Sequence, residues 1–498
     1  MADAAKLTVK NLRRAGVGTF FRPIDVAAMG IGEPTLRRLV REGQIEKIAR
    51  GVYRVTEAEP GEHFTLAAVC ARVPRGILCL RTALQFHRIG TRVTPEVWLA
   101  IPHGMRTPIV DFAKLRVVRF QGQSLVSGVA TVQVEGVPTR ITDPVRTVVD
   151  CFRLSRLIDR ETALGPVPAA PRGRRRRRSW RDSRGPGDPR RMSKPKSNLA
   201  ASVHRRLLDG ARQRGEDFQL TLLRYAAERL LHRLGQSRHR QDFVLKGAML
   251  FLLWPDQLYR PTRDVDLLGF GEPTPERLHR VFSEIAALEF PDDALQFDSA
   301  SVTTEPIRTI QDYGGVRVTL TTALGKAKIP LQIDIGFGDA ITPGPRDAVF
   351  PTLLDSDPPK VRAYPLETVV AEKFEAAVRL GRANSRMKDF HDLRTLAGRR
   401  EFDGPLLTRA IRATFERRQA SLAIVADVLA EAFYADPILG QRWRAFAKGL
   451  HGGSQGGSTF AEVGEALRRF LGPLGDALSG KLTLRSWTPT QGWTSQRT

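Results

Sequence analysis

The segment "GPVPAAPRGRRRRRSWRDSRGPGDPRR", residues 165–191, constrains this 498-residue chain more than any other. It carries ten arginines against two aspartates, is rich in Pro and Gly, and has almost no apolar side chain. Such a stretch has no helical or strand period and buries too little surface to offset the entropy of ordering it. It reads as a disordered linker, which we take over residues 165–195, so the chain must fold as two units. Met192 follows, and "MSKPKSNLAASVHRRLLDGARQRGEDFQLTLLRYAAERLLHRLG" looks like a fresh start running into amphipathic helices. The "RRRRR" run itself has two readings, a phosphate-binding patch or a solvated junction.

Charge sharpens the division. The net charge is +25 and the pI about 10.8, values that point to polyanionic partners. Residues 1–164 hold +10, residues 165–191 hold +8 and the remainder +7, so a third of the excess sits in the linker. The hydrophobic share of 42% is ordinary for a soluble protein. No apolar run reaches the roughly 18 residues of a membrane helix, and "MADAAKLTVKNLRRAG" lacks the apolar region of a signal peptide. Cys70, Cys79 and Cys151 have no Cys-x-x-Cys spacing and make no disulfide framework or structural zinc site. The expectation is a cytoplasmic protein without a membrane partner.

In the first unit, "IDVAAMG" reads as a short helix stopped by Gly30. "PTLRRLVREGQ" reads as a second helix with Pro34 in its first turn and Gly43 as its stop. "IEKIARGVYRV" alternates like a two-stranded wing turning at Gly51. Helix, tight turn, basic helix and wing make a winged helix-turn-helix over residues 8–58, whose second helix enters the major groove while the wing meets the backbone. Thr35, Arg37, Arg38 and Arg41 are the DNA-binding candidates, and operator DNA is the expected partner; use of the motif for protein contact alone is the other reading. Residues 59–164 read as a small α+β domain with no catalytic constellation, His87 and His103 being isolated.

The second unit holds the chemistry. In "RPTRDVDLLGF", Asp264 and Asp266 fall on one face of an apolar strand, with Val265 and Leu267 on the other. Two buried carboxylates are tolerable if a divalent cation neutralises them, and Mg²⁺ is content with one or two carboxylates plus phosphate oxygens. "IPLQIDIGFGDAI" supplies a third acid, Asp334, between Ile333 and Ile335. Upstream, Lys246-Gly247-Ala248 offers a glycine where backbone can approach a triphosphate. In "LETVVAEKFEAAVRLGRANSRMKDFHDLRTL", Lys373 lies on a helix, Asp389 is placed to orient it, and Asp392 is one turn further on. A solvated aspartate pair and a surface ion-pair network are the plain alternatives.

Two resemblances follow from these stretches. The winged helix, "CLRTALQFHRIG", "VWLAIPHG" and "ITDPVRTVVDCFR" resemble the AbiEi-type antitoxins of type IV toxin–antitoxin systems, which implies a DNA-binding autorepressor. "FVLKGAML", "RPTRDVDLLG", "QIDIGFGD" and "EKF…RMKDFHDLR", in that order, resemble the AbiEii/AbiGii nucleotidyltransferase toxins, relatives of the MenT toxins. The resemblance implies Mg²⁺ and an NTP substrate, a tRNA 3′ end as acceptor, and a place in phage defence. It maps metal binding onto Asp264 and Asp266 and adds Lys373 and Asp389 as required residues; with Asp334, the third acid offered by its own strand for the metal, these five are the catalytic candidates. Lys246, Gly247, Ala248, Arg260 and Thr262 fall at its nucleotide-binding positions. Many members have Gly-Gly or Gly-Ser where this chain has Gly247-Ala248, so backbone N–H groups would serve there.

The expected fold class is multidomain α+β, a winged helix-turn-helix plus small α+β domain followed by a nucleotidyltransferase-fold domain with a helical C-terminal part. The nucleotidyltransferase core is expected over 196–345, the helical part over 346–480 and a disordered tail over 481–498. The functional expectation is a fused antitoxin–toxin pair in which the units can also pair intramolecularly. The alternatives are a small-molecule, antibiotic-modifying nucleotidyltransferase, or a transcriptional regulator with a degenerate transferase domain.

Overall fold

The computed structural model describes residues 19–56, 61–90, 94–154, 199–254, 262–307, 314–447 and 458–497. The linker expected over 165–195 lies outside these residues.

The sequence turns at its glycines. Helices α1 (Pro23–Ala27) and α2 (Glu33–Arg41) are separated by Gly30, and Gly43 follows α2. Strands β2 (Ile45–Ala49) and β3 (Val52–Val55) pair antiparallel across Gly51, and β1 (Phe20–Phe21) adds to β3. Gly30, Gly43 and Gly51 all have φ near +70 to +78°, the left-handed region that glycine enters without strain. Val26, Leu36, Leu39 and Ile45 close a small core of their own. The domain that follows has α3 (Phe64–Arg72), α4 (Leu80–Phe86) and α5 (Pro144–Arg153) around a five-stranded sheet. That sheet includes β4 (Ile77–Leu78), β5 (Val97–Pro102), β6 (Leu115–Phe120), β7 (Val129–Val134) and β8 (Val137–Thr142).

In the second unit, α6 (Leu199–Arg214) and α7 (Phe218–Gln236) precede a seven-stranded sheet. Its strands are β9 (Phe243–Lys246), β10 (Asp264–Gly269), β11 (Leu295–Ile307), β12 (Gly315–Leu324), β13 (Ala327–Phe337), β14 (Arg346–Val349) and β15 (Lys360–Ala363), in the order 11-12-13-10-9-15-14. Helix α7 packs against β13, and α8 (Pro275–Ala286) against β11 and β12. Val265, Leu267, Ile333 and Ile335 are buried on the strands, and period-2 alternation then puts the aspartates on the opposite face. Helix α9 (Leu366–Leu380) packs on both α10 (Met387–Arg399) and α11 (Gly404–Arg417), and α12 (Phe460–Leu478) closes over α10.

Two expectations are corrected. The core sheet continues past residue 345, because β14 and β15 add to the β9 edge. Each is four residues long, too short to show a period. The tail is not disordered: β17 (Leu482–Thr488) and β18 (Gly492–Arg497) form a hairpin that pairs with β16 (Phe402–Asp403). Its Ser, Thr and Gln residues read as loop, but tryptophan anchors it. Trp487 Nε1 donates to Ala397 O at 2.9 Å, Trp493 Nε1 to Phe470 O at 2.7 Å, and Trp493 stacks on Phe470.

The two units pack on one another. Phe64 and Phe218 are both buried and meet edge to face, and the Phe218 N–H donates to Thr65 Oγ1 at 3.0 Å. Gln85 Nε2 donates to Gln219 Oε1 at 2.8 Å, and Arg212 on α6 pairs with Glu46 of wing strand β2 at 2.7 Å. Among the described residues no helix is long and apolar enough to cross a membrane.

Candidate active site

Strand β10 lies between β9 and β13, and its register brings the motifs together. Asp266 pairs with Lys246 on one side and with Asp334 on the other, while Asp264 pairs with Gln332. Gly247 leaves the end of β9 with φ +72°, and a Cβ there would overlap the Asp266 carboxylate. Glycine is therefore required twice over, for its backbone conformation and for the close approach. Gly247→Ala should cost more than about 1 kcal/mol of stability and displace Asp266. Melting temperature and transfer rate should fall together, and an unchanged rate would show that Asp266 does not depend on this contact. Ala248 is buried at the start of a 3₁₀ turn over Gly247–Leu253.

Asp264 is strongly perturbed. Its Oδ1 is buried without a hydrogen-bond partner. Burial pushes its carboxyl well above the ordinary value, the nearby Asp334 and Asp266 push the same way, and Arg317 and Arg263 only partly oppose them. An orphaned buried carboxylate oxygen beside a second acid fits a divalent cation that brings its remaining ligands with it. Arg263 reaches from the residue before Asp264 to the first unit, donating to Gln85 O at 3.2 Å and Gly90 O at 3.4 Å.

The third acid is placed differently from expectation. Asp334 sits next to Asp266, but both its oxygens accept from Arg317, Nε at 2.8 Å and Nη2 at 2.9 Å. Gln332 Nε2 adds a contact at 3.3 Å. A bidentate guanidinium therefore neutralises this carboxylate, so Asp334 forms a fixed Arg–Asp pair beside the two acids of β10. Among the described residues no three His, Cys, Asp or Glu side chains converge as a metal site. Arg317 was missed, yet its signal was present. Gly325-Lys326 is a two-residue hairpin turn, and counting seven residues out from Leu324↔Ala327 places Arg317 opposite Asp334.

Lys246 is not directed at open space. Its Nζ donates to Asp339 Oδ2 at 2.6 Å and lies 3.5 Å from Glu372 Oε1. Arg418 joins the same acids, at 2.9 Å to Asp339 and 3.3 Å to Glu372, and reaches Glu375 at 2.8 Å. Tyr364 donates its hydroxyl to Glu372 at 3.2 Å. Burial alone would raise Asp339, but Lys246 and Arg418 outweigh it and hold the carboxyl down at about 2. Lys246 is thus a member of a half-buried ion network at the end of β9, a role that local sequence does not suggest.

Lys373 and Asp389 do meet, at 3.1 Å, and Asp392 binds the same ammonium at 2.7 Å. Asp389 is fully buried and also accepts from Arg386 at 2.6 Å. The Lys373 ammonium lies 5.9 Å from the ring of Phe251, in the turn that follows Gly247, which ties the helical part to the glycine. Thr262 is half-buried two residues before Asp264. Arg260 lies outside the described residues.

On α2, Thr35 is half-buried, Arg37 pairs with Glu33 at 3.4 Å and Arg38 with Glu42 at 2.8 Å. Arg41 is exposed and without a partner among the described residues.

Comparison with known proteins agrees with this organisation. Residues 229–468 match the family described as nucleotidyl transferase AbiEii toxin, type IV TA system, and residues 3–56 match the transcriptional regulator, AbiEi antitoxin family. No curated protein matches. Two solved structures from Helicobacter pylori are similar. JHP933 is 17% identical with a TM-score of 0.30, over 51% of this chain and 90% of that one. A second chain, described provisionally as a nucleotidyltransferase, is 18% identical with a TM-score of 0.30, over 52% and 95%.

Proposed function

Because this chain joins an AbiEi-type regulator segment to an AbiEii-type nucleotidyltransferase toxin unit, we propose that it is a fused toxin–antitoxin protein whose second unit transfers a nucleotide from an NTP to the 3′ end of an RNA. The observation that carries the transferase reading is the β10 face, where Asp264 with its orphaned oxygen stands beside Asp266 and the close-approaching Gly247.

Asp264 and Asp266 would hold Mg²⁺, which supplies charge neutralisation at the triphosphate when bound. Gly247 lets the backbone come close to the phosphates, and the network around Lys246 keeps that turn in place. The Arg317–Asp334 pair holds the neighbouring strand's charges fixed, so the acids of β10 face the nucleotide against a rigid wall. Lys373, oriented by Asp389 and Asp392, is the cation we assign to the triphosphate. An acceptor hydroxyl oxygen attacks the α-phosphorus, the bond to the leaving pyrophosphate breaks, and the hydroxyl proton passes to solvent. That the acceptor is tRNA rests on the family; the net +7 outside the first unit and the linker suits an RNA. The first unit would bind operator DNA through α2 and the wing and repress its own gene.

The test is incubation of the full chain with each labelled NTP, Mg²⁺ and total RNA. Label should enter an RNA band of tRNA size. Transfer to an aminoglycoside-type small molecule and not to RNA would overturn the acceptor, and no transfer to any acceptor would overturn the reaction.

A further inference from the structure

A cavity of about 800 Å³ opens between the wing and the α+β domain of the first unit. Five arginines from four separate segments converge on it: Arg22 before α1, Arg50 at the wing turn, Arg72 and Arg75 at the end of α3, and Arg106 after β5. Arg22 is already paired with Asp25 at 2.7 Å. Arg50, Arg72, Arg75 and Arg106 have no side-chain hydrogen bond or ion pair among the described residues. The single acid in the lining is Asp111.

Ordinary surfaces intersperse both signs of charge, and isolated arginines need no explanation. Four guanidinium groups from distant parts of the sequence that line one cleft without a partner are different, because together they make a positive concavity that favours an anionic partner over bulk counterions. The loop carrying Arg106 is also held in shape: Arg119 donates to His103 O and Met105 O, both at 2.7 Å, and to Thr107 Oγ1 at 3.2 Å.

The chemistry of the lining selects among polyanions. It contains no Phe, Tyr or Trp, so it offers no platform on which unpaired bases could stack. That disfavours a single-stranded RNA and suits the regular phosphates of a duplex. Arg50 belongs to the wing, the element that meets the backbone while α2 enters the groove. We propose that this cleft binds the sugar–phosphate backbone of duplex DNA, so that the α+β domain grips the same duplex as the winged helix. The inference rests on the reading of the first unit as DNA-binding and extends its footprint onto residues 72–106.

The test uses the full chain and a fluorescent mixed-sequence DNA duplex of about three helical turns, roughly 30 base pairs, titrated over a range of salt concentrations. The triple variant R72Q/R75Q/R106Q should bind on the order of a hundredfold more weakly near 0.1 M salt, with the salt slope reduced by about 2–3. The loss should be the same on any duplex sequence, because phosphate contacts carry no sequence information. The matching Arg→Lys triple should restore most of the slope, which separates charge from packing or misfolding. If wild type and R41Q bind with different affinities but the triple Gln variant keeps the wild-type slope, the cleft proposal is overturned while the winged-helix reading stands. If the Gln variant loses affinity only for single-stranded RNA, the assignment to duplex is wrong. If wild type binds no duplex, both fail.

Discussion

Replacing Asp264 with Asn should abolish nucleotide transfer and at the same time make the nucleotide-free protein more stable. The loss of rate should be roughly a thousandfold or more, since metal-borne charge stabilisation supplies several kcal/mol. The gain in stability follows from the direction of the shift. Burial, with Asp334 and Asp266 nearby, raises the folded carboxyl above its ordinary 3.8, so the folded state binds more protons than the unfolded one. Ionisation of Asp264 therefore weakens the fold, beginning near pH 3.8 and increasing as pH rises toward the folded value. The advantage of the Asn variant should be absent in acid and grow through that window, read as the difference in melting temperature without Mg²⁺. Adding Mg²⁺ should raise the wild-type melting temperature and not that of the variant. Binding should also release a proton, visible as a buffer-dependent heat. A variant that transfers label normally, or that is equally destabilised at every pH, would remove Asp264 from the metal site.

Much of this was legible in the sequence where chemistry is local. The wing and its two helices are punctuated by glycines whose positive φ no other residue enters cheaply, so Gly30, Gly43 and Gly51 mark real turns. Asp264 and Asp266 stood out because acids are rare in an apolar run, and Lys373 with Asp389 because a helix lysine is followed in the same stretch by an acid placed to orient it. What stayed hidden depends on long-range pairing. Lys246 and Asp339 are joined only when β9, β10 and the end of β13 lie side by side. The Arg317 partner of Asp334 is legible only through the register of the hairpin turning at Gly325-Lys326, and not from the segment of Asp334 alone. The Trp487–Trp493 hairpin was lost for a related reason: polar strand residues resemble loop until the aromatic surface that receives them is known.

The half-buried Lys373, shared by two buried aspartates, makes the second large effect a matter of stability. Lys373→Met should cost about 3–5 kcal/mol, because it leaves a fully buried Asp389 and a nearly buried Asp392 without their shared cation. Burial by itself would raise Asp389, but Lys373 and then Arg386 outweigh it and hold the carboxyl at about 2 against an ordinary 3.8. A lowered acid stabilises the fold above the unfolded value and loses that contribution as pH falls through the folded one. Wild type should therefore lose about 2 kcal/mol from this group between roughly pH 4 and pH 2. In Lys373→Met that acid-limb loss should shrink, because the cation that lowers Asp389 is gone. Adding Asp389→Asn to Lys373→Met should recover part of the stability, since one of the uncompensated charges is removed. Arg386→Gln should cost less than Lys373→Met, its guanidinium being 40% exposed. Urea midpoints at pH 7 and along the acid limb decide it. If Lys373→Met costs under about 1 kcal/mol, the two aspartates are not held by this lysine, and its assignment to the triphosphate loses its anchoring pair.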